Sequence, residues 1–186
     1  LLEALGVKRI FQLNCTANGH FAHNPEPIPA NLTQISEAIP KSKVDVGFVV
    51  DPDVDRLAVI CENGQMFGEE YTLVSCADYV LQHTPGNTSS NLSSSRALRD
   101  VTRSRGGHYE AAAVGEVNVV TKMKDINAVI GGEGNGGVIY PEAHYGRDAL
   151  VGIALFLSNL AHIRKEKPDF TVSQLRDSYP QYCIAK

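Results

Sequence analysis

The sequence has 186 residues, is 43% hydrophobic and 20% charged, and carries a formal net charge of −4. That balance belongs to a folded globular chain. It lacks the basic stripe that holds nucleic acid and the 18-residue apolar run that crosses a bilayer, so neither partner is expected.

In chain order, Leu1 to Val7 reads as the end of a helix with a glycine stop, as if the sequence began inside a domain. No signal-peptide pattern opens it. Lys8 to Leu13 reads as a short strand, and Asn14 to Pro29, rich in Asn, Gly, His and Pro, as loop. Leu32 to Ile39 has helical spacing, with Asn31 as its expected N-cap. Val44 to Val50 is mostly apolar, as in a sheet covered on both faces. Arg56 to Cys61 is a second strand, closed by the tight turn Asn63-Gly64. A domain boundary is expected near Gln65, dividing residues 1–65 from 66–186.

Beyond it, Tyr71 to Gln82 reads as an amphipathic helix. Pro85 to Ser95 is a polar connection with room for a short strand. Ser95 to Arg105 reads as a helix ended by Gly106-Gly107. A strand is expected at His108 to Ala113, a helix at Glu116 to Met123 and a short strand at Ala128 to Ile130. Val138 to Tyr140 follows, then a long helix from Arg147 to Lys165 and a last short helix. The alternation argues an α/β fold: two α/β/α layered units with mixed, mostly parallel sheets, the first truncated. Cys15, Cys61, Cys76 and Cys183 are scattered without C-x-x-C spacing. Neither a disulfide framework nor a zinc site is indicated, and a reducing cytoplasm is the expected setting.

Two segments carry chemistry. Asp51, Asp53 and Asp55 alternate directly after an apolar strand. Carboxylates this close raise one another's pKa unless a cation relieves them, and Mg²⁺ favours oxygen ligands. Pro52 restricts the loop, and Arg56 offers a fork able to hold a phosphate. A solvated acidic turn is the plain alternative. An EF-hand would place Glu62 at its twelfth position, but it needs glycine where Arg56 stands and helices where strands are read. A haloacid-dehalogenase-type phosphatase would make Asp51 the nucleophile. That family usually has Thr or Val at the place of Asp55, and its later acidic pair is missing here.

The second segment, Gly131 to Gly137, has five glycines in seven residues, which lets a backbone approach a ligand closely. Glu133 and Asn135 lie two apart, a spacing suited to neighbouring sugar hydroxyls. A Walker loop would need Gly-Lys-Ser/Thr, and a dinucleotide fingerprint would need a following helix. Taken alone, the segment reads equally as a loose surface turn.

Together these segments resemble the α-D-phosphohexomutases, the phosphoglucomutase, phosphomannomutase and phosphoglucosamine mutase family, over essentially the whole sequence. The family's Asp-x-Asp-x-Asp-Arg loop is matched by Asp51 to Arg56. Its Gly-Glu-x-Ser/Asn-Gly loop is matched by Gly132 to Gly136, and its Val-Gly-x-x-x-Val segment by Val114 to Val119. Arg147-Asp148 opening a helix fits the same register. Asn91 to Ser95 resembles the branch whose sugar loop reads Gly-Glu-Gly-Asn-Gly-Gly, the archaeal and bacterial phosphoglucosamine or phosphomannose mutase-like proteins.

The resemblance implies that residues 1–65 end the family's second domain and that residues 66–186 form its third. It implies Mg²⁺ held by Asp51, Asp53 and Asp55, with Arg56 as a catalytic residue beside it. Glu133, Asn135, Glu116, His144 and Arg147 are the substrate-binding candidates. For His144 a structural role competes, and for Arg147 capping and pairing within its helix. Hexose phosphates and their bisphosphates are the implied partners, with the family's first and fourth domains.

Three departures stand out. Ala22-His23-Asn24-Pro25 imitates the phosphoserine motif with Ala22 in place of Ser, a coincidence, since in the family a Phe-x-His-Asn-Pro-Glu-Pro segment normally precedes the metal loop of the second domain. Gly137 stands where some members have His. The fourth domain's phosphate-gripping loop is not found. A sequence without the phosphoserine is expected to be inactive by itself.

Overall fold

The computed structural model describes residues 1–182. Residues 1–28 contain turns and no helix or strand, so the strand expected at Lys8 to Leu13 is not formed. It has no partner strand, and Ile10, Phe11 and Leu13 stay exposed. A 3-10 turn, Pro29–Asn31, leads into α1 (Thr33–Ser42). The N-cap of α1 is Leu32 rather than Asn31, whose amide instead donates to the Glu26 carbonyl.

Strands β1 (Val46–Val50) and β2 (Leu57–Cys61) form an antiparallel pair with Val50 opposite Leu57. The six-residue connection accounts for the antiparallel pairing, since a parallel crossover needs a dozen or more residues. β2 is buried throughout, whereas β1 is mostly half-buried with Val50 exposed. The expectation that β1 is covered on both faces therefore fails.

Next come α2 (Glu69–His83), β3 (Asn87–Asn91), α3 (Ala97–Ser104), β4 (Tyr109–Ala112) and α4 (Glu116–Asp125). β5 (Ala128–Glu133), β6 (Gly137–Ile139), α5 (Ala149–Arg164) and α6 (Val172–Ser178) complete the order. The second sheet runs β4-β3-β5-β6, parallel except for the β5–β6 hairpin.

Its interior strand β3 is the polar segment NTSSN, yet Thr88, Ser89 and Ser90 are fully buried. Interior parallel strands are usually runs of Val and Ile. Here Thr88 Oγ1 meets Thr102 Oγ1 at 2.6 Å and Ser90 Oγ meets the Tyr109 hydroxyl at 2.9 Å. Each pairing offsets the cost of burying a hydroxyl.

One apolar cluster joins Leu57, Val59 and Cys61 of β2 to Val74, Phe156 and Leu175. Phe156 meets Phe67 and Phe48 edge to face, at 5.0 and 5.9 Å between centroids. The core thus runs straight across Gln65. Cys61 and Cys76 are buried free thiols and Cys15 is exposed, while Cys183 lies outside the described residues. No helix among the described residues is long and apolar enough to cross a membrane.

Candidate functional site

The aspartate loop connects β1 to β2. Asp51 is 2% exposed. Its Oδ1 accepts from the backbone N–H groups of Asp55 and Arg56 at 3.1 and 3.0 Å, and its Oδ2 from Arg56 Nε at 2.7 Å. Burial pushes the Asp51 carboxyl up, but the bonds from Arg56 and Asp55 outweigh it and hold the pKa below the ordinary value. The mutual rise expected of all three carboxylates thus fails at Asp51.

It holds at Asp55, which burial raises to about 6 against the opposing Arg147, with Asp51 and Asp53 adding to the rise. Asp55 Oδ1 is buried without a hydrogen-bond partner, 3.7 Å from Arg56 Nε. One oxygen from each of the three aspartates lies within 4.8 Å of the others. Three carboxylate oxygens this close suit a single divalent cation, and the orphaned Asp55 oxygen is an acceptor still open to it.

Two anchors hold the loop against the second sheet. The Val54 carbonyl accepts from Ala149 N–H at 3.0 Å, at the start of α5, and Leu57 N–H donates to the Gly136 carbonyl at 3.0 Å. Val54 adopts a φ of +59°, which costs a β-branched residue strain. The anchors and Asp51 impose it.

The glycine segment is not a loose turn. Gly131 to Glu133 continue β5, Gly137 begins β6, and Glu133 pairs with Gly137 in the ladder. At Gly136, φ is +92° and a Cβ would sit 2.5 Å from the Leu57 carbonyl oxygen. Only glycine permits that approach.

Glu133, 5% exposed, has three partners. Its Oε1 accepts from Asn91 Nδ2 at 2.8 Å and Gly115 N–H at 3.3 Å, and its Oε2 from Arg147 Nη1 at 2.8 Å. Asn135 Oδ1 accepts from Gly137 N–H at 3.2 Å, across the turn.

Arg147 is neither cap nor helix partner. It precedes Asp148, whose carboxylate caps α5 by accepting from Leu150 and Val151 N–H. Its guanidinium reaches Glu116 through Nε at 2.8 Å, Glu133 through Nη1 and Asp55 through Nη2. The two separate motifs of the sequence therefore share one guanidinium. His144 accepts from Gly146 N–H at Nδ1 and pairs through Nε2 with Asp148 at 3.0 Å. It supports the cap.

Arg56 points its fork at Glu26, with Nη1 to Oε1 at 2.5 Å and Nη2 to Oε2 at 3.4 Å. Sequence reasoning missed Glu26, whose signal is an acid between two prolines in a loop that returns to the site. It also missed Asn91 as a partner of Glu133. Six carboxylates, those of Glu26, Asp51, Asp53, Asp55, Glu116 and Glu133, thus gather around the two guanidinium groups of Arg56 and Arg147. That negative excess favours a cation.

The alternatives weighed for the loop do not fit. Glu62 accepts from Ser173 N–H and its hydroxyl at the start of α6, so it is no EF-hand ligand. Asp51 is buried and its carboxylate already accepts three hydrogen bonds, a setting that suits a fixed ligand better than an in-line nucleophile.

The family profile described as phosphoglucomutase/phosphomannomutase, alpha/beta/alpha domain III, matches residues 68–182, and that of domain II matches residues 1–64. A phosphoglucomutase/phosphomannomutase of Thermococcus kodakarensis is 34% identical over 98% of this chain and 39% of its own length. A probable phosphoglucosamine mutase of Methanopyrus kandleri is 30% identical over 100% of this chain and 40% of its own length. The chain therefore spans about two-fifths of these relatives. The crystal structure of a phosphoglucomutase/phosphomannomutase family protein of Burkholderia thailandensis superimposes with a TM-score of 0.72 at 27% identity. It covers 86% of this chain and 34% of the other.

Proposed function

The chain belongs to the phosphoglucomutase/phosphomannomutase family, and from that premise we propose that it supplies the metal-holding and hydroxyl-binding part of a phosphohexomutase cleft. The reaction is interconversion of hexose 1-phosphate and hexose 6-phosphate through a bisphosphate. The observation that carries this reading is the Asp55–Arg147–Glu133 bridge, which sets the aspartate loop and the glycine hairpin on one cleft.

Asp51, Asp53 and Asp55 would hold Mg²⁺, which offsets the negative charge of a phosphoryl group when bound. Arg56 stands at the loop's edge, where phosphate displacing Glu26 would meet its two donors. Glu133 and Asn135 would face hydroxyls common to both orientations of the sugar, so that the bisphosphate can turn between half-reactions. Glu116 and His144 border the same cleft. The phosphoryl-carrying serine would come from outside these residues, since Ala22 stands at the place of Ser in the one similar segment. We also place the junction of the two family domains near Gln65.

Glu133→Ala in a full-length enzyme containing this sequence should cut turnover strongly, with some loss of stability because Asn91, Gly115 and Arg147 lose a partner. Wild-type rates would remove Glu133 from the site. The 186-residue chain mixed with glucose 1-phosphate, Mg²⁺ and catalytic glucose 1,6-bisphosphate should form no glucose 6-phosphate. Sustained turnover would place the nucleophile within it.

A further inference from the structure

We propose that Arg147 is a positioning residue that fixes the aspartate loop relative to the glycine hairpin, so that cation binding at one is felt at the other. The proposal rests on the reading of Asp51, Asp53 and Asp55 as a cation site.

Three observations converge on it. First, the backbone directly after Arg147 is fixed at Asp148. Asp148 N–H donates to the Val138 carbonyl at 2.9 Å, and the Asp148 side chain caps α5. Second, its path is built into the hairpin. A Cβ on Gly137 would lie 2.4 Å from Arg147 Cδ and 3.1 Å from Cγ. Glycine at this position, where some members of the family carry His, leaves the space that the arginine shaft fills.

Third, the guanidinium divides its donors among acids from three separate segments, and its side chain is 18% exposed. A lysine nitrogen is a single point and cannot reproduce that fork.

The two oxygens of Asp55 have different surroundings. Oδ2 is bound to Arg147, while Oδ1 is buried without a hydrogen bond. Arg147 therefore orients the carboxylate and leaves one oxygen for a cation. Loss of such outer partners of metal ligands typically weakens metal binding about 10–100-fold. A guanidinium acting only as a nearby charge does the opposite. It repels the cation, and its removal tightens binding. The sign of the change separates the two.

The test is a Mg²⁺ titration of the 186-residue chain followed by nitrogen–proton NMR, with wild type, Arg147→Met, Arg147→Lys and Gly137→Ala. Arg147→Met should weaken Mg²⁺ binding about 10–100-fold, and Arg147→Lys should restore little of it despite keeping the charge. Gly137→Ala displaces the arginine shaft without removing it and should weaken binding in the same direction, which keeps the test decisive if Arg147→Met does not fold. In wild type, Mg²⁺ should also shift the amide signals of Gly115 and Glu133, and in Arg147→Met those shifts should vanish. Unchanged or tighter binding in folded variants would overturn the positioning role and leave the cation site standing. Wild type that binds no Mg²⁺ would overturn the cation site itself, and this proposal with it.

Discussion

The aspartate loop and the glycine hairpin both present carboxylates to Arg147, and they hold them differently. In the loop, Pro52 and the strained Val54 stiffen the backbone, Asp51 anchors it, and Asp55 keeps a buried oxygen without a hydrogen bond. In the hairpin, glycines let the backbone close on Leu57, and the single acid, Glu133, is bonded at both oxygens. A group satisfied before its ligand arrives is preorganised. A group left orphaned is waiting for one, and until then it lowers stability. The difference teaches that the hairpin is held by packing and satisfied hydrogen bonds, whereas the loop keeps one buried acceptor unsatisfied.

The sharpest test of the packing side is Gly136→Ala. An added Cβ meets the Leu57 carbonyl oxygen at 2.5 Å on a residue with φ of +92°. The conformational cost alone is about 1–2 kcal/mol, and the clash adds to it. A thermal midpoint lower by roughly 4–12 °C is expected for a chain of this size. An unchanged midpoint would mean that the close approach does not hold the hairpin.

The charge side is tested by pH. The folded pKa of Asp55 lies at about 6, above its ordinary value of 3.8. A raised carboxyl stabilises the fold below the ordinary value, and that stability is lost as pH rises through the folded value. Without metal, the chain should therefore lose on the order of 1–3 kcal/mol between about pH 4 and pH 6. Asp55→Asn should flatten that slope in urea titrations, and a slope unaffected by the variant would break the contrast.

A smaller effect is expected of Asp53→Asn. Mg²⁺ affinity should fall about tenfold, near 1.4 kcal/mol, while stability without metal stays level, since Asp53 is exposed. Calorimetry and thermal melts on the same samples check whether affinity and stability separate. Smallest is Val54→Gly, which removes the penalty of a positive φ on a β-branched residue. A gain of up to about 1 kcal/mol is expected, reduced by the added freedom of the unfolded chain. A loss would show that the Val54 side chain contributes more than its strain costs.

Much of this was legible in the order of residues. Alternation of apolar and helical segments located most strands and helices of the second sheet, because periodicity reports which face is buried. The polar strand β3 was less legible. The Thr88 and Ser90 hydroxyls find partners on α3 and β4 that no local pattern reveals. The lone strand expected at Lys8 to Leu13 failed for the converse reason, since a good local pattern without a neighbour makes no ladder.

By itself the sequence determined which donors exist. The Asp-x-Asp-x-Asp-Arg and Gly-Glu-Gly-Asn-Gly spacings depend on adjacent residues, whose chemistry is local. Tertiary structure decided where those donors point. Arg147, read as one of several substrate candidates, became the link between the two motifs, and Glu26 became the partner of Arg56. Glu133 gained Asn91, Gly115 and Arg147 as partners. The reason is geometric: these partners lie 14 to 42 residues away in the chain. At such separations, contacts are set by how the sheet and α5 pack rather than by any repeat in the sequence.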